Sequence, residues 1–380
     1  MRILIITQNF PPLEGGISTH TYEMAKNFVF CGQEVMVVAP FLKSSSEFDK
    51  KQNFRAKRFP EFSAGPLLRF LITLFCSFSA ALKFKPGIIY TTHWKNAGVV
   101  AVMLSVIFRI PHVLFVNGTE INFLKSKKSE YRLFRFVAGH SQKIIALANF
   151  QADLLKKLAI DENKIVVAHG GVDFPRFEKK DEKLIQSLKE KYNIGTKKVL
   201  LTVGRLVPRK GHSSVILALK EAIKTYPKVV YFIVGRGPER ENLSKLAEDS
   251  GLSNCVKFTG FVSDEEIIAF LHLCDIFVLP NKVVNGDYEG FGIVFAEANA
   301  CGKPVIGGKS GGVSDIIKEG VNGYLVDPEN IMELKEKILE ILENEKLARQ
   351  LGLKGREMAR NEFNYSNTAR KIVDIFSKLI

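Results

Sequence analysis

Short apolar runs rich in Val, Ile, Leu and Phe alternate with stretches of helical periodicity along almost the whole chain. That alternation predicts parallel sheets with helices on both faces. In the first half the predicted strands are Arg2–Ile6, Glu34–Ala39, Gly87–Thr91, His112–Val116, Lys143–Ala146 and Lys164–Val167. In the second half they are Lys198–Val203, Val229–Val234, Val256–Thr259, Ile276–Leu279, Pro304–Gly307 and Gly323–Val326. Six and six, with a charged, helix-like change-over at Phe177–Tyr192, predict an α/β protein of two similar Rossmann-like lobes. The end, Phe363–Ile380, reads as one amphipathic helix. The expected domains are residues 1–175 with 363–380, and residues 176–362.

Length and composition fit that division. A chain of 380 residues exceeds one ordinary core, and 46% hydrophobic with 25% charged residues describes a globular protein rather than a disordered one. Five scattered cysteines (Cys31, Cys76, Cys255, Cys274 and Cys301) show no pairing or metal spacing, so buried thiols in a reducing cytosol are expected. The first strand is too short for a signal-peptide core, and Pro11-Pro12 follows it. Phe70–Leu82 and Ala97–Phe108 carry no charge, but a spanning helix needs about 20 residues, so both are expected to be buried or interfacial.

Charge is uneven. Of the net +14, residues 1–175 carry +10, concentrated in Lys50–Arg58, around Lys83 and Lys85, and in Lys125–Arg135. No nucleic-acid module motif accompanies this excess, so an anionic membrane surface or anionic acceptor fits it better than nucleic acid.

Candidate chemistry sits where predicted strands end. Glu289-Gly290-Phe291-Gly292-Ile293 leads into a predicted helix, Ile293–Cys301, that contains Glu297. Unpaired N–H groups of Phe291, Gly292 and Ile293 at a helix start suit phosphate. Two carboxylates flanking that anion site suit hydroxyls on either side of a diphosphate, which describes a nucleotide-sugar. Glycines at a turn and a dipole-compensating surface glutamate are the plainer account of the same residues. Arg205 and Lys210 lie between the strand Lys198–Val203 and a predicted helix, Ser213–Lys224, and can neutralise a diphosphate. Gly15-Gly16 follows the first strand and precedes a predicted helix, Thr19–Phe30. Gly235 opens a similar loop after Val229–Val234.

In order, these segments resemble the retaining glycosyltransferases of family four, which have the two-domain GT-B fold. The resemblance runs from Met1–Pro40 through His169-Gly170-Gly171-Val172-Asp173 and the Arg205/Lys210 loop to Glu289…Glu297 and Gly307–Gly312. It implies two lobes with a cleft between them and a C-terminal helix crossing back to the first. It also implies that Arg205 and Lys210 hold the donor diphosphate, that Glu297 binds ribose, and that Glu289 binds hydroxyls of the transferred sugar. Backbone at Phe291, Gly292 and Ile293 would touch sugar and phosphate, and the Gly15-Gly16 loop would close over the donor. Two departures stand out. Asn117 replaces the family's usual histidine at the donor sugar, and His169 replaces its usual asparagine.

The expected activity is metal-independent transfer, with retention, of a hexose-type sugar from a UDP- or GDP-type donor. The acceptor is a hydroxyl, free or lipid-linked, in cell-surface polysaccharide, lipopolysaccharide or glycolipid synthesis. The enzyme is expected in the cytoplasm or on the inner face of the plasma membrane. No D-x-D triplet and no cofactor fingerprint occur: Arg240 stands where a dinucleotide-binding G-x-G-x-x-G would need its third glycine. A nucleotide-sugar 2-epimerase or phosphorylase of the same fold, or a silent nucleotide-sugar binder, remain the alternatives. His20, beside the Gly-Gly loop, and His93, after a strand, are candidate sugar or acceptor contacts together with Asn117. His112, His140, His212 and His272 read as helix or core positions.

Overall fold

The computed structural model describes residues 1–60, 65–122 and 124–380. The chain forms two compact units, Met1–Gly170 with Tyr365–Ile380, and Gly171–Asn364. Each is built on one parallel sheet.

The first unit has seven strands: β1 (Arg2–Ile6), β2 (Glu34–Pro40), β3 (Arg55–Phe59), β4 (Ile88–Thr91), β5 (His112–Val116), β6 (Lys143–Ala146) and β7 (Ile165–Val167). Their order is β3-β2-β1-β4-β5-β6-β7. β1, β4 and β5 bury nearly every side chain, as a sheet covered on both faces requires. β3 was not expected. It is an edge strand paired to β2 from Met36↔Arg55 to Pro40↔Phe59, and its Arg55, Lys57 and Arg58 hid it from a search for apolar runs. Part of the predicted Lys50–Arg58 basic excess is therefore structural. Arg58 donates to Asp49 and to the carbonyls of Pro40 and Pro11, stapling the β1 loop to the sheet edge.

Helix Gly16–Phe30 packs on the terminal helix, Tyr365–Ser377, so the chain's end returns to the first unit. Helices Pro66–Phe84 and Asn96–Phe108 pack together and cover Leu4, Ile6 and Ile89. Helix Lys128–His140 follows beside Asn96–Phe108. Lys125, in the predicted basic run, has a side chain outside the described residues.

The second unit has β8 (Lys198–Val203), β9 (Val229–Val234), β10 (Val256–Gly260), β11 (Ile276–Leu279), β12 (Val305–Gly308) and β13 (Gly323–Val326), in the order β10-β9-β8-β11-β12-β13. All six lie where the apolar runs placed them, within a residue. Strand order reverses between β1 and β4 in one unit and between β8 and β11 in the other. Open α/β sheets offer ligand crevices at such switch points. None of the five cysteines is in a disulfide; Cys274 and Cys301 are buried, but Cys31, Cys76 and Cys255 are only half-buried, contrary to the expected burial of all five.

Candidate functional site

In the second unit the loops leaving β8 and β11 meet at the switch point. After β8 the chain makes a turn, Pro208–Lys210, before helix His212–Ala222; after β11 it runs through Asn281 and Asp287 to Glu289. Lys210 Nζ donates to Glu289 Oε2 at 2.6 Å, and Asn281 Nδ2 donates to the same oxygen at 2.9 Å. Arg209 donates to it as well, at 2.8 Å, and reaches Asp287 at 2.9 Å through Nε. Lys210 is buried, 8% exposed, so this is a shielded charge cluster and not a solvated surface pair. Burial alone would push the Glu289 carboxyl up, but Lys210 and then Arg209 outweigh it and hold the group below the ordinary glutamate range.

Arg205 is different. Its side chain is exposed and has no ion-pair or hydrogen-bond partner among the described residues, while its carbonyl accepts from His212 Nε2 at 3.2 Å. The loop carrying Arg205 is pressed against the next one. A Cβ on Gly235 would lie 2.0 Å from the Gly204 carbonyl oxygen, so Gly235 is needed for close approach of two backbones. On the other side, Gly311 has φ +57° and a Cβ there would lie 2.1 Å from the Glu289 carbonyl oxygen, which also accepts from the Gly312 N–H.

Helix Ile293–Ala300 begins just beyond Glu289, with Gly292 as its cap at φ +82°. The Phe295 N–H donates to the Gly292 carbonyl at 2.9 Å, and the Ile293 and Val294 N–H groups have no intrahelical carbonyl before them. The Phe291 ring is buried edge-on against Phe363, just before the helix start. Glu297 sits one turn into the helix, as the spacing predicted, and is half-buried. Burial pushes its carboxyl up to about 7, with Arg176 opposing the rise and Asp264 adding to it.

In the first unit Gly15 caps helix Gly16–Phe30, which starts three residues earlier than expected. Both glycines are exposed, and a Cβ on either would meet nothing within 4 Å. The loop is tied to the β4 end by Thr7 and Thr92, whose hydroxyls lie 2.8 Å apart, and Thr21 donates to Thr92 at 3.2 Å. His93 follows β4, half-buried, and its Nδ1 accepts from the Lys95 N–H. Burial and then Lys95 lower its pKa.

His20 does not stand at the loop. It is the fifth residue of the helix, buried, stacked on Phe115 with centroids 4.0 Å apart, and both ring nitrogens lack hydrogen-bond partners among the described residues. Burial lowers its pKa to about 3. Asn117 lies in the loop after β5, half-buried and engaged with the protein. Sequence reasoning missed Arg209, Asn281 and Asp287. A second cation beside Lys210 and an acid two residues before Glu289 were the available signals.

Family models account for most of the chain. "Glycosyltransferase Family 4" matches residues 14–176 and "Glycosyl transferases group 1" matches residues 184–358. The chain belongs to the group 1, family 4 type of glycosyltransferases. A GDP-mannose-dependent alpha-(1-6)-phosphatidylinositol monomannoside mannosyltransferase of Mycobacterium tuberculosis is 29% identical over 98% of this chain and 97% of its own. The amylovoran biosynthesis glycosyltransferase AmsK of Erwinia amylovora is 27% identical over 77% of this chain and 70% of its own. Among solved structures, Anabaena HepE in complex with UDP superposes with a TM-score of 0.85 at 24% identity over all of both chains, a likeness of GT-B fold.

Proposed function

We propose that this glycosyltransferase moves a hexose from a nucleoside diphosphate to a hydroxyl of a lipid-linked acceptor, with retention and without a metal ion. The observation carrying this reading is the shielded Lys210–Glu289–Arg209 cluster beside an unpaired Arg205, at the helix start Gly292–Ile293. Two cations and a helix N-terminus are what a departing diphosphate needs, because charge builds on it as the glycosidic bond breaks. Arg205 and Lys210 hold the phosphates, assisted by backbone at Phe291, Gly292 and Ile293. Glu297 accepts from the ribose diol and Glu289 from sugar hydroxyls.

On this reading Lys210 has two roles: it keeps Glu289 ionised in the free enzyme and turns to phosphate in the complex. The leaving phosphate itself takes the acceptor proton, on the face it departs from, which yields retention. Gly15, Gly16, His93 and Asn117 are the first unit's contributions to sugar or acceptor. His20 supports the first-unit helix from within and touches neither.

The mannosyltransferase relatives act from GDP-mannose on a phosphatidylinositol glycolipid, which supports GDP-mannose as the first donor to test and a lipid acceptor. With a lipid acceptor the enzyme would work at a membrane surface, which the +10 charge of residues 1–175 supports for an anionic one; the cytoplasmic face is part of the same proposal. Mass spectrometry after incubation with UDP- and GDP-sugars tests the reading. Slow release of a nucleoside diphosphate and free sugar is expected. An epimerised donor, or binding with no turnover even with lipid acceptors, would overturn it. NMR of the anomeric proton in the product tests retention.

A further inference from the structure

Helix Pro66–Phe84 exposes a stripe of large apolar side chains. Its buried stripe is small or hydroxylic: Thr73, Ser77, Ala80 and Ala81, ending in Phe84. Five of its large side chains face solvent, with Phe75 75% exposed, Leu67 72%, and Leu68, Leu71 and Leu82 about half exposed, while Phe70, Ile72, Leu74 and Phe78 pack partly buried against the core. The spacing of Leu68, Leu71, Phe75 and Leu82 keeps them on one stripe. The neighbouring helix Asn96–Phe108 continues it with Met103, Val106 and Ile107, also exposed. Such a contiguous apolar face is uncommon on a soluble unit and marks a contact surface.

The charge around it selects the partner. From Phe62 to Thr119 the sequence contains no Asp or Glu, while Arg69, Lys83, Lys85 and Arg109 are exposed along the two helices. A second copy of this chain would set these cations against their own images with no carboxylate of the segment to pair them. A bilayer with anionic headgroups satisfies both features, accepting the apolar stripe at the acyl boundary and the cations among phosphates. At 19 residues the helix is long and apolar enough to cross a membrane. Its inner stripe nevertheless covers Leu4, Ile6 and Ile89 of the sheet, and withdrawing it would expose that core.

We propose that helices Pro66–Phe84 and Asn96–Phe108 form the membrane-docking face of this enzyme. The first helix lies in the plane of an anionic bilayer with Leu67, Leu68, Leu71, Phe75 and Leu82 in the acyl boundary. This deepens the lipid-acceptor reading but is tested without donor or acceptor, so the two fail separately.

The test is cosedimentation of the full chain with vesicles of phosphatidylcholine mixed with phosphatidylglycerol, and of phosphatidylcholine alone. Binding to the anionic vesicles should weaken about tenfold or more in Phe75→Asp, the factor that burying one such ring supplies. The double variant Lys83→Glu/Lys85→Glu should lose the preference for anionic vesicles. Phe30→Asp is the control: Phe30 is 73% exposed but sits on helix Gly16–Phe30, away from this pair. Phe75 is exposed, so Trp94 emission should be unchanged in Phe75→Asp, showing an intact first unit. Undiminished vesicle binding by Phe75→Asp, or equal loss in Phe30→Asp, overturns the proposal. So does a concentration-dependent dimer, seen in solution without vesicle binding, that Phe75→Asp dissolves.

Discussion

At the scale of single residues, the two predicted diphosphate cations occupy unlike environments, and their substitutions should differ accordingly. Arg205→Ala removes an exposed side chain without a described partner, so it should cost ~10²–10³ in turnover and leave the unfolding midpoint unchanged. Lys210→Ala should cost a similar rate factor and in addition roughly 1–3 kcal/mol of stability, because it strips one donor from a shielded carboxylate. Arg209 still faces that carboxylate and limits the loss. Steady-state kinetics with denaturant melts separates the two. Glu297 and Glu289 should divide in the same manner. Glu297→Ala weakens free nucleoside diphosphate as well as donor, whereas Glu289→Ala spares the free nucleotide; equal losses in calorimetry would contradict the assignment. Since burial holds the Glu297 carboxyl up to about 7, and a ribose diol donates more strongly to the carboxylate than to the neutral acid, nucleotide binding at pH 6.5 should release protons and tighten as pH rises through 7. Calorimetry in buffers of different ionisation enthalpy reads that release, and Glu297→Gln should abolish it. Arg205, Lys210, Glu289 and Glu297 could be singled out because they lie in strand-to-helix loops or in the helix that follows one. Arg209 and Asp287 were not, since a cation and an acid 78 positions apart declare nothing until a fold joins them.

At the scale of elements, the buried strands of the second unit were readable because a sheet covered on both faces demands unbroken apolar runs. β3 was missed for the converse reason. An edge strand has one free side, which charged residues such as Arg55 and Lys57 protect from further pairing, and with Arg58 they break any hydrophobic run. Helix Pro66–Phe84 was read too short, at Phe70–Leu82, because charge-free length was counted and Arg69 and Lys83 cut the count. Its actual limits are Pro66 in the first turn and the left-handed Lys85 at φ +48°. The packed loops of the second unit give a prediction of their own. Gly311→Ala puts a methyl at the Glu289 carbonyl in a backbone conformation that disfavours side chains. It should cost about 1–3 kcal/mol and displace Glu289, so that thermal stability and donor turnover fall together. Unchanged turnover in a destabilised Gly311→Ala would show that Glu289 does not depend on this contact.

At the scale of the whole molecule, the two units differ in their response to acid. His20 and His112 of the first unit are buried and neutral, both with pKa values lowered to about 3 by burial. A histidine whose folded pKa lies below its unfolded value contributes stability that is full above about 6.5 and lost as pH falls towards the folded value. Each should cost about 1.4 kcal/mol per pH unit below 6.5. The second unit has one such group near its site, His212, lowered to about 4 by burial, with the Arg205 carbonyl opposing and Lys210 adding to the shift. There Glu297 works in the opposite sense: its raised pKa makes the folded state bind the extra proton, and stability rises as pH falls from 7 towards its ordinary value. The first unit should therefore lead acid unfolding. Trp94, the chain's one tryptophan, is buried in that unit. Its emission should shift red at a higher pH than the far-ultraviolet transition, and His20→Phe, whose ring needs no hydrogen bond, should move that shift to lower pH. A Trp94 transition that lags behind the loss of helix would refute this order.

The sequence by itself determined the class of fold, both sheets' buried strands and the ends at which chemistry could be placed. Each of these depends on local periodicity and on glycine and charge at strand termini, which neighbouring residues specify. Tertiary structure alone decided which charges share an oxygen at Glu289, that His20 lies in the core instead of at a loop, and that Gly235 serves backbone contact. It also decided that helix Pro66–Phe84 turns Leu67, Leu68, Leu71, Phe75 and Leu82 outward. Those outcomes depend on which segments meet, and burial and partner charge act over distances in space that periodicity along the chain does not encode.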